Sequence, residues 1–253
     1  MKPDRDKTGS SSFAEGALSV LAVLEHDSRP VEAIYLLPRA KTDEKNILRL
    51  LTLAKKKKVP VRMADEAYFD SVVTGHTHGG VIAAIGERRM LSPAEVFDRA
   101  NGFAFLLCGV EDPFNFGCAV RSFWAAGAGG MILSPRNWLS AAGVVLRSSA
   151  GATEAIACGV YSDEEALCDL AKEKGYRIVC AAEKNAVELY EADLSKPVFL
   201  IVGGEKRGIS RVFLDRADLS VRIPYGRRFR GSLTTSAAAA VCAFEVLRHE
   251  KTK

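Results

Sequence analysis

Three polar loops in this 253-residue sequence carry side chains able to hold and move a charged group. The first, Gly109-Val110-Glu111-Asp112-Pro113-Phe114-Asn115-Phe116-Gly117, opens a helical stretch that bears Arg121. The second is Gly203-Gly204-Glu205-Lys206-Arg207-Gly208. The third is Ile223-Pro224-Tyr225, followed by Arg227-Arg228-Phe229-Arg230-Gly231-Ser232-Leu233-Thr234. Each directly follows a short apolar run, the place where parallel α/β sheets hold their ligands. Between them they offer a carboxylate (Glu205), an amide (Asn115), a guanidinium (Arg121) and two hydroxyls (Ser232, Thr234). Their glycines let the backbone approach a flat, polar ligand such as adenosine.

The glycine loop fits neither common nucleotide fingerprint. A P-loop needs Lys-Ser or Lys-Thr after its second glycine, but Ile209-Ser210 follows Gly208; a dinucleotide motif needs GxGxxG, and this reads GGEKRG. Taken singly, Asn115 fits a helix cap, Arg121 a solvated cation and GGEKRG a tight turn. Their joint position at strand ends is what points to a site. Arg222, Arg227, Arg228 and Arg230, with Lys206, Arg207 and Arg211, would form a cationic rim for phosphates if the loops share one sheet edge. Tyr225 and Phe229 could stack on bases there; a solvated charge run is the equal alternative. Lys55 to Lys58 close an amphipathic helix, where lysine complements the dipole. His76 and His78 form an HxH pair without a third ligand nearby, which suits a loop or RNA contact better than zinc. The cysteines at 108, 118, 158, 168, 180 and 242 form no CxxC pair, so reduced, buried thiols are expected and no metal site.

The elements that must position these loops are legible in the hydrophobic pattern. A polar tail, residues 1–12, precedes a helix-like stretch from Phe13 to Leu24 and strand 31–37. A helix from Asp43 to Lys57 has Ile47, Leu50, Leu51 and Ala54 at helical spacing. Strand VPVRMA, helix EAYFDSVV, loop GHTHGG and strand VIAAIGE complete a βαβαβ-type block ending near Arg89. Ser92-Pro93-Ala94-Glu95 reads as a capping box opening a short helix that joins two halves. Beyond it lie strand FAFLLCG, helix NFGCAVRSFWAAGA, strand MIL and a helix around Gly143 to Ala150. A helix capped by the Ser162-Asp163-Glu164-Glu165 run follows, then strands YRIVCAA, PVFLIVGG and LSVRIP, and a last helix from Ser232 to about His249. Strands apolar on both faces belong to a parallel sheet covered by helices on each side.

Composition narrows the class without choosing a partner. A 48% hydrophobic share suffices for a large core without disulfide or metal staples. The net charge of +4 permits a nucleic-acid partner and does not require one. No apolar stretch is long enough to cross a bilayer and the first residues lack a signal-peptide core, so a cytoplasmic protein is expected.

At the three loops the chain resembles the SpoU/TrmH family of RNA 2′-O-ribose methyltransferases, within the SPOUT superfamily. Asp112-Pro113, Asn115, Gly117 and Arg121 are similar to its first motif, Gly203, Glu205 and Gly208 to its second, and Ile223-Pro224 with Ser232-Leu233 to its third. Ser148-Ser149-Ala150-Gly151-Ala152 matches the pattern between them, and Gly16, Val20 and His78-Gly79-Gly80-Val81 resemble the accessory domain many members carry. The resemblance implies an α/β fold: a parallel-sheet catalytic domain with a C-terminal trefoil knot, preceded by a smaller α/β ribosomal-protein-like domain. It divides the chain into a flexible tail (1–12), an accessory RNA-binding domain (13–90), a linker helix (91–101) and a knotted methyltransferase domain (102–253).

It also implies S-adenosyl-L-methionine as cofactor, ribosomal or transfer RNA as partner, with ribosomal RNA favoured, and a homodimer formed through the catalytic domain. Backbone groups of Gly203, Ile223 and Leu233 would hold the adenosine, with Gly204, Gly208 and Pro224 shaping the cavity. Asn115, Arg121, Glu205, Ser232 and Thr234 would line the reaction site, and Lys206, Arg207, Arg227, Arg228 and Arg230 would meet RNA. Family proposals cast the arginine as base, yet guanidinium keeps its proton in water. A charged Arg121 that positions a phosphate and steadies the developing alkoxide is the better reading, with Glu205 or a phosphate oxygen taking the proton. The chain departs from the family at Thr234, where asparagine is usual. A catalytically impaired RNA-binding paralogue is therefore the alternative, with Ser232 or Ser236 as substitutes for the lost hydrogen bonding. An unrelated α/β nucleotide-binding enzyme is the third reading.

Overall fold

The computed structural model describes residues 12–73, 75, 78–135 and 141–251; the expected tail up to residue 11 and His76 lie outside them. The chain forms two compact units, residues 1–89 with 137–147, and residues 90–136 with 148–253.

In the first unit, β1 (Ser12–Glu15), α1 (Ala17–His26), β2 (Val31–Leu36), α2 (Glu44–Lys57), β3 (Val61–Met63), α3 (Glu66–Val72) and β4 (Val81–Ile85) follow in order. Among the described residues the sheet runs β1-β4-β2-β3, with β2 and β3 parallel and β4 antiparallel to both its neighbours. The helix expected from Phe13 begins instead at Ala17. Residues 12–15 pair along β4, and Gly16, at φ 89, makes the turn between them. Asp43 and Asp65 cap α2 and α3 by accepting the Lys45 and Tyr68 amides. Val20, Leu24, Ile34, Leu50 and Ile85 fill the core. The helix anticipated near Gly143 is α6 (Ala142–Ser148). Its Ala142 and Leu146 belong to this first core, and Arg147 pairs with the buried Glu15.

The second unit holds α4 (Pro93–Arg99), β5 (Phe103–Cys108), α5 (Pro113–Ala125), β6 (Gly130–Leu133), α7 (Ala152–Ala155), β7 (Ala157–Val160), α8 (Glu164–Glu173), β8 (Arg177–Ala181), β9 (Val187–Glu188), β10 (Val198–Gly203), α9 (Arg211–Arg216), β11 (Leu219–Arg222) and α10 (Thr235–Lys251). Its sheet, seven strands among the described residues, runs β7-β6-β5-β10-β8-β11-β9, and the pairs are parallel. The sequence pattern does not reveal β7, β9 or α9, because Ala-Cys-Gly-Val and two-residue pairings carry little strand signal.

The Ser92–Glu95 capping box is present, with each side chain satisfying the other's backbone amide. The helix it opens is no free linker, however: Val96 and Phe97 are buried in the second unit's core, and Tyr176 donates to the Phe97 carbonyl at 2.8 Å. In the run at 162–165 the cap is Asp163, not the serine.

Strand β5 explains why the sheet needs cover on both faces. Ala104 and Leu106 point into the cluster with Phe97, Ile178 and Phe199. Phe105 stacks on Phe123 of α5, ring centroids 3.8 Å apart and 3° from parallel. All six β5 residues are buried, as a central parallel strand requires. Replacing Phe105 by alanine should cost about 3–5 kcal/mol, read as a lower urea midpoint with the slope unchanged.

Candidate functional site

Strands β5 and β10 lie side by side and parallel, yet the chain leaves β5 toward β6 on one side and reaches β10 from the other. The order of the sheet diverges there, so the loops after the two strands meet at their carboxyl ends. Their contact is backbone on backbone. Gly204 donates its N–H to the Cys108 carbonyl at 2.7 Å, and a Cβ on Gly204 would sit 2.4 Å from the Gly109 oxygen. At Gly203 a Cβ would fall 2.7 Å from the Gly208 carbonyl carbon. Gly208, at φ +62, donates back to the Gly204 carbonyl at 2.9 Å and closes the loop. Gly203 and Gly204 need glycine for steric reasons, and Gly208 lies in the left-handed region that glycine favours. Burial pushes the Cys108 thiol up, so the group beside this corner is a neutral thiol and no nucleophile.

A cavity of about 670 Å³ opens over the carboxyl ends of β10, β8 and β11. Gly203, Gly204 and Gly208 form one wall, and Ile223, Pro224 and Leu233 another. Ser232 and Glu205 also line it, with Glu183 and Glu188 as further carboxylates. A cleft of about 110 Å³ is lined by Asn115, Glu111, Asp112, Glu205 and Lys206. Glu205 and Thr235 line both spaces, so the two are neighbours sharing a carboxylate.

Asn115 is not the helix cap. Asp112 takes that role, accepting the Phe114 and Asn115 amides at 3.2 and 3.0 Å, which leaves the Asn115 side chain for the cleft. The third loop returns on itself: the Leu233 amide donates to the Tyr225 hydroxyl at 3.2 Å, and Phe229 packs edge-on against Tyr225 at 5.8 Å. The Tyr225 hydroxyl is thus a structural tie, while its ring lines the cavity. At the head of α10, Thr234 caps by accepting the Ala237 amide at 3.3 Å. Thr235 is buried and donates to the Gly203 carbonyl at 3.4 Å. The Ser236 hydroxyl lies 3.2 Å from that of Thr234 and donates to the Asn115 amide oxygen at 3.5 Å.

The structure therefore brings Asn115, Glu205, Ser232, Lys206 and the six cofactor candidates to two adjoining spaces. Arg121, exposed on α5, lies outside both linings, as do Thr234, Arg207, Arg227, Arg228 and Arg230. Part of the anticipated cationic rim is already neutralised. Glu111 pairs with Lys206 and Arg207 at 3.3 and 3.5 Å, Glu188 with Arg222 at 3.2 Å, and Asp215 with Arg211 at 3.3 Å. Arg227, Arg228 and Arg230 remain exposed on the third loop. His78 accepts the Gly80 amide at 3.1 Å, and no group of three metal-ligating side chains occurs among the described residues. Thr235, Glu183 and Glu188 escape sequence reasoning. Only the run Thr234-Thr235-Ser236 hints at hydroxyls beyond the third motif.

A doubly wound parallel sheet whose glycine-cornered loops enclose a cavity and a carboxylate cleft defines an α/β protein built to hold a small polar ligand beside a second substrate. Residues 102–244 match the model of the SpoU rRNA Methylase family, and residues 13–91 match that for RNA 2′-O ribose methyltransferase substrate binding. The chain is 31% identical over 243 residues to a 23S rRNA (guanosine-2′-O-)-methyltransferase of Pseudomonas syringae pv. tomato, covering 94% of this chain and 96% of the relative. It superposes with a TM-score of 0.79 on the AdoMet-bound rRNA methyltransferase from Sinorhizobium meliloti, at 22% identity over 94% of this chain and 87% of that one. The SpoU methyltransferase AviRb from Streptomyces viridochromogenes, in complex with AdoMet, gives a TM-score of 0.79 at 18% identity, covering 96% and 91%. The chain belongs to the SpoU rRNA methylase family.

Two substitutions test the corner. Gly204→Ala should cost about 1–3 kcal/mol of stability by overpacking and weaken S-adenosylmethionine binding by at least roughly tenfold, read by denaturation and calorimetry. Ser236→Ala should leave that binding within about twofold, since its hydroxyl addresses Asn115 and not the cavity wall.

Proposed function

We propose that this protein methylates a ribose 2′-hydroxyl of ribosomal RNA, at a guanosine, with S-adenosylmethionine as methyl donor. The observation that carries the reading is the pair of adjoining spaces with Glu205 between them. One has the size of a nucleoside-type ligand site; the other is open to a second substrate. The residues present fit the cofactor. The apolar pair Ile223 and Leu233 suits a flat base, the 203–208 backbone lies within reach of its polar edge, and Glu183 and Glu188 offer acceptors for hydroxyl or amino groups. When bound, the cofactor supplies a methyl group on a sulfonium, an electrophile needing no further activation.

The chain's own task is then to align and deprotonate the hydroxyl. A new O–C bond forms as the S–C bond breaks, and the ribose proton passes to the Glu205 carboxylate or to a phosphate oxygen. Asn115, held by Ser236, orients the ribose, and Ser236 supplies hydrogen bonding that the family draws from asparagine at position 234. The exposed Arg227, Arg228 and Arg230 take phosphates. Arg121 stays charged and steadies the anion.

Assembly completes the site. Phe114 (59% exposed) and Trp124 (42%) flank Arg121 on α5, and Phe244 (48%) is exposed on α10, which packs against α5. Exposed aromatic side chains on two adjacent helices suit a second copy of the chain, with Arg121 at the seam. The segment through the third loop into α10 is proposed to thread as a trefoil knot, and the first unit to help hold RNA. A ribosomal RNA substrate puts the work in the cytoplasm. No described helix is long and apolar enough to cross a membrane.

Labelled methyl transfer to ribosomal RNA, followed by nucleoside digestion, should yield 2′-O-methylguanosine. Glu205→Gln should slow transfer roughly a hundredfold or more with cofactor binding retained. Label on a base would refute the assignment, and undiminished transfer by the variant would remove Glu205 as proton acceptor; cofactor binding with no transfer by the native chain would favour the impaired paralogue. The double variant Trp124→Glu/Phe244→Glu should sediment as a monomer and lose turnover.

A further inference from the structure

The first unit carries a recess of about 470 Å³ remote in sequence from the three loops, lined by Tyr35, Pro38, Arg62, Met63, Asp65 and Tyr68. We propose that it docks one unpaired nucleobase of the RNA substrate against the two tyrosines, with Arg62 on the adjoining phosphate. This rests on the RNA reading above and adds to it a binding site within residues 35–68.

The geometry comes from sheet register. Tyr35 of β2 and Arg62 of β3 are direct partners in a parallel pair, so their side chains leave the same face. Tyr68 of α3 comes down on that face, its ring 4.8 Å from that of Tyr35 and tilted by 40°. Strand β3 ends the sheet and all three of its residues are exposed, Met63 at 63%. Two tilted tyrosine rings with a thioether and a guanidinium at an open edge have the composition of a base-stacking site.

Burial and a hydrogen bond with Tyr35 push the Tyr68 phenol up to about 12, so its ring stays uncharged beside an anionic strand. Charge around the recess points the same way. Arg39 and Lys41, just past Pro38, are exposed and with Arg62 outnumber the one lining carboxylate, Asp65, which accepts the Tyr68 amide at 2.8 Å. A peptide would ask for apolar pockets at alternate positions, whereas the aliphatic lining here is confined to Pro38 and the adjacent Met63 and Ala64.

The test uses the full chain and a single-stranded RNA carrying 4-thiouridine or a fluorescent base. The native protein should cross-link through peptides containing Tyr35 or Tyr68. Tyr35→Leu/Tyr68→Leu should bind the RNA roughly five- to fiftyfold more weakly, whereas Tyr68→Phe should stay within about twofold. Arg62→Glu and Met63→Asp, both at exposed positions, serve where the double variant does not fold, and each should weaken binding with S-adenosylmethionine affinity unchanged. Equal RNA affinity across folded variants, or cross-links confined to residues 203–234, would overturn the recess while leaving the RNA reading intact. If the native chain binds no RNA, both fall together.

Discussion

The site depends on two backbones touching where side chains would normally keep them apart. The Gly204 amide meets the Cys108 carbonyl, and the room for that approach exists only because Gly204 carries no Cβ to strike the Gly109 backbone. Everything nearby is built outward from the contact. The first loop is thereby fixed against the second, Glu205 is placed in the mouth between cavity and cleft, and Thr235 reaches the Gly203 carbonyl to seat the last helix. Surface ion pairs such as Glu111 with Lys206 lie over the same junction. Each contributes well under the several kcal/mol that a steric mismatch would cost, so they refine the junction rather than create it.

Much of this is legible in the chain itself. Parallel strands buried on both faces announce themselves as continuous apolar runs, as β5, β8 and β10 do. The capping patterns at 92–95 and 162–165 locate α4 and α8. What escapes obeys non-local rules. β1 is a strand only because β4 lies beside it, and β7 is one because β6 does; neither carries the propensity to declare itself. The helix at Ala142 is amphipathic in either setting, and nothing in its own residues tells which core receives it.

The functional loops show the same division. Glycines, the Glu205 carboxylate and the Ile223-Pro224 wall can be assigned from order along the chain. The partners of each side chain cannot. Asp112 rather than Asn115 caps α5, which turns an ambiguous amide into one free for the cleft. The Tyr225 hydroxyl ties down the Leu233 amide, a partner its residue type does not announce. Ser236 addresses Asn115 from the first turn of α10, two residues beyond the departure at Thr234, and such a relay emerges only when the helix start is known.

The excursion of Ala142 to Arg147 into the first unit bears on how such proteins can be rearranged. A fragment ending near Arg89 would lose both the guanidinium that pairs with Glu15 and the helix that lies over its carboxylate, and would strip Ala142 and Leu146 from the first core. Exchange of the leading portion between relatives, by recombination or by design, therefore has to carry two stretches of chain at once. A clean splice at a single junction would transplant an incomplete core.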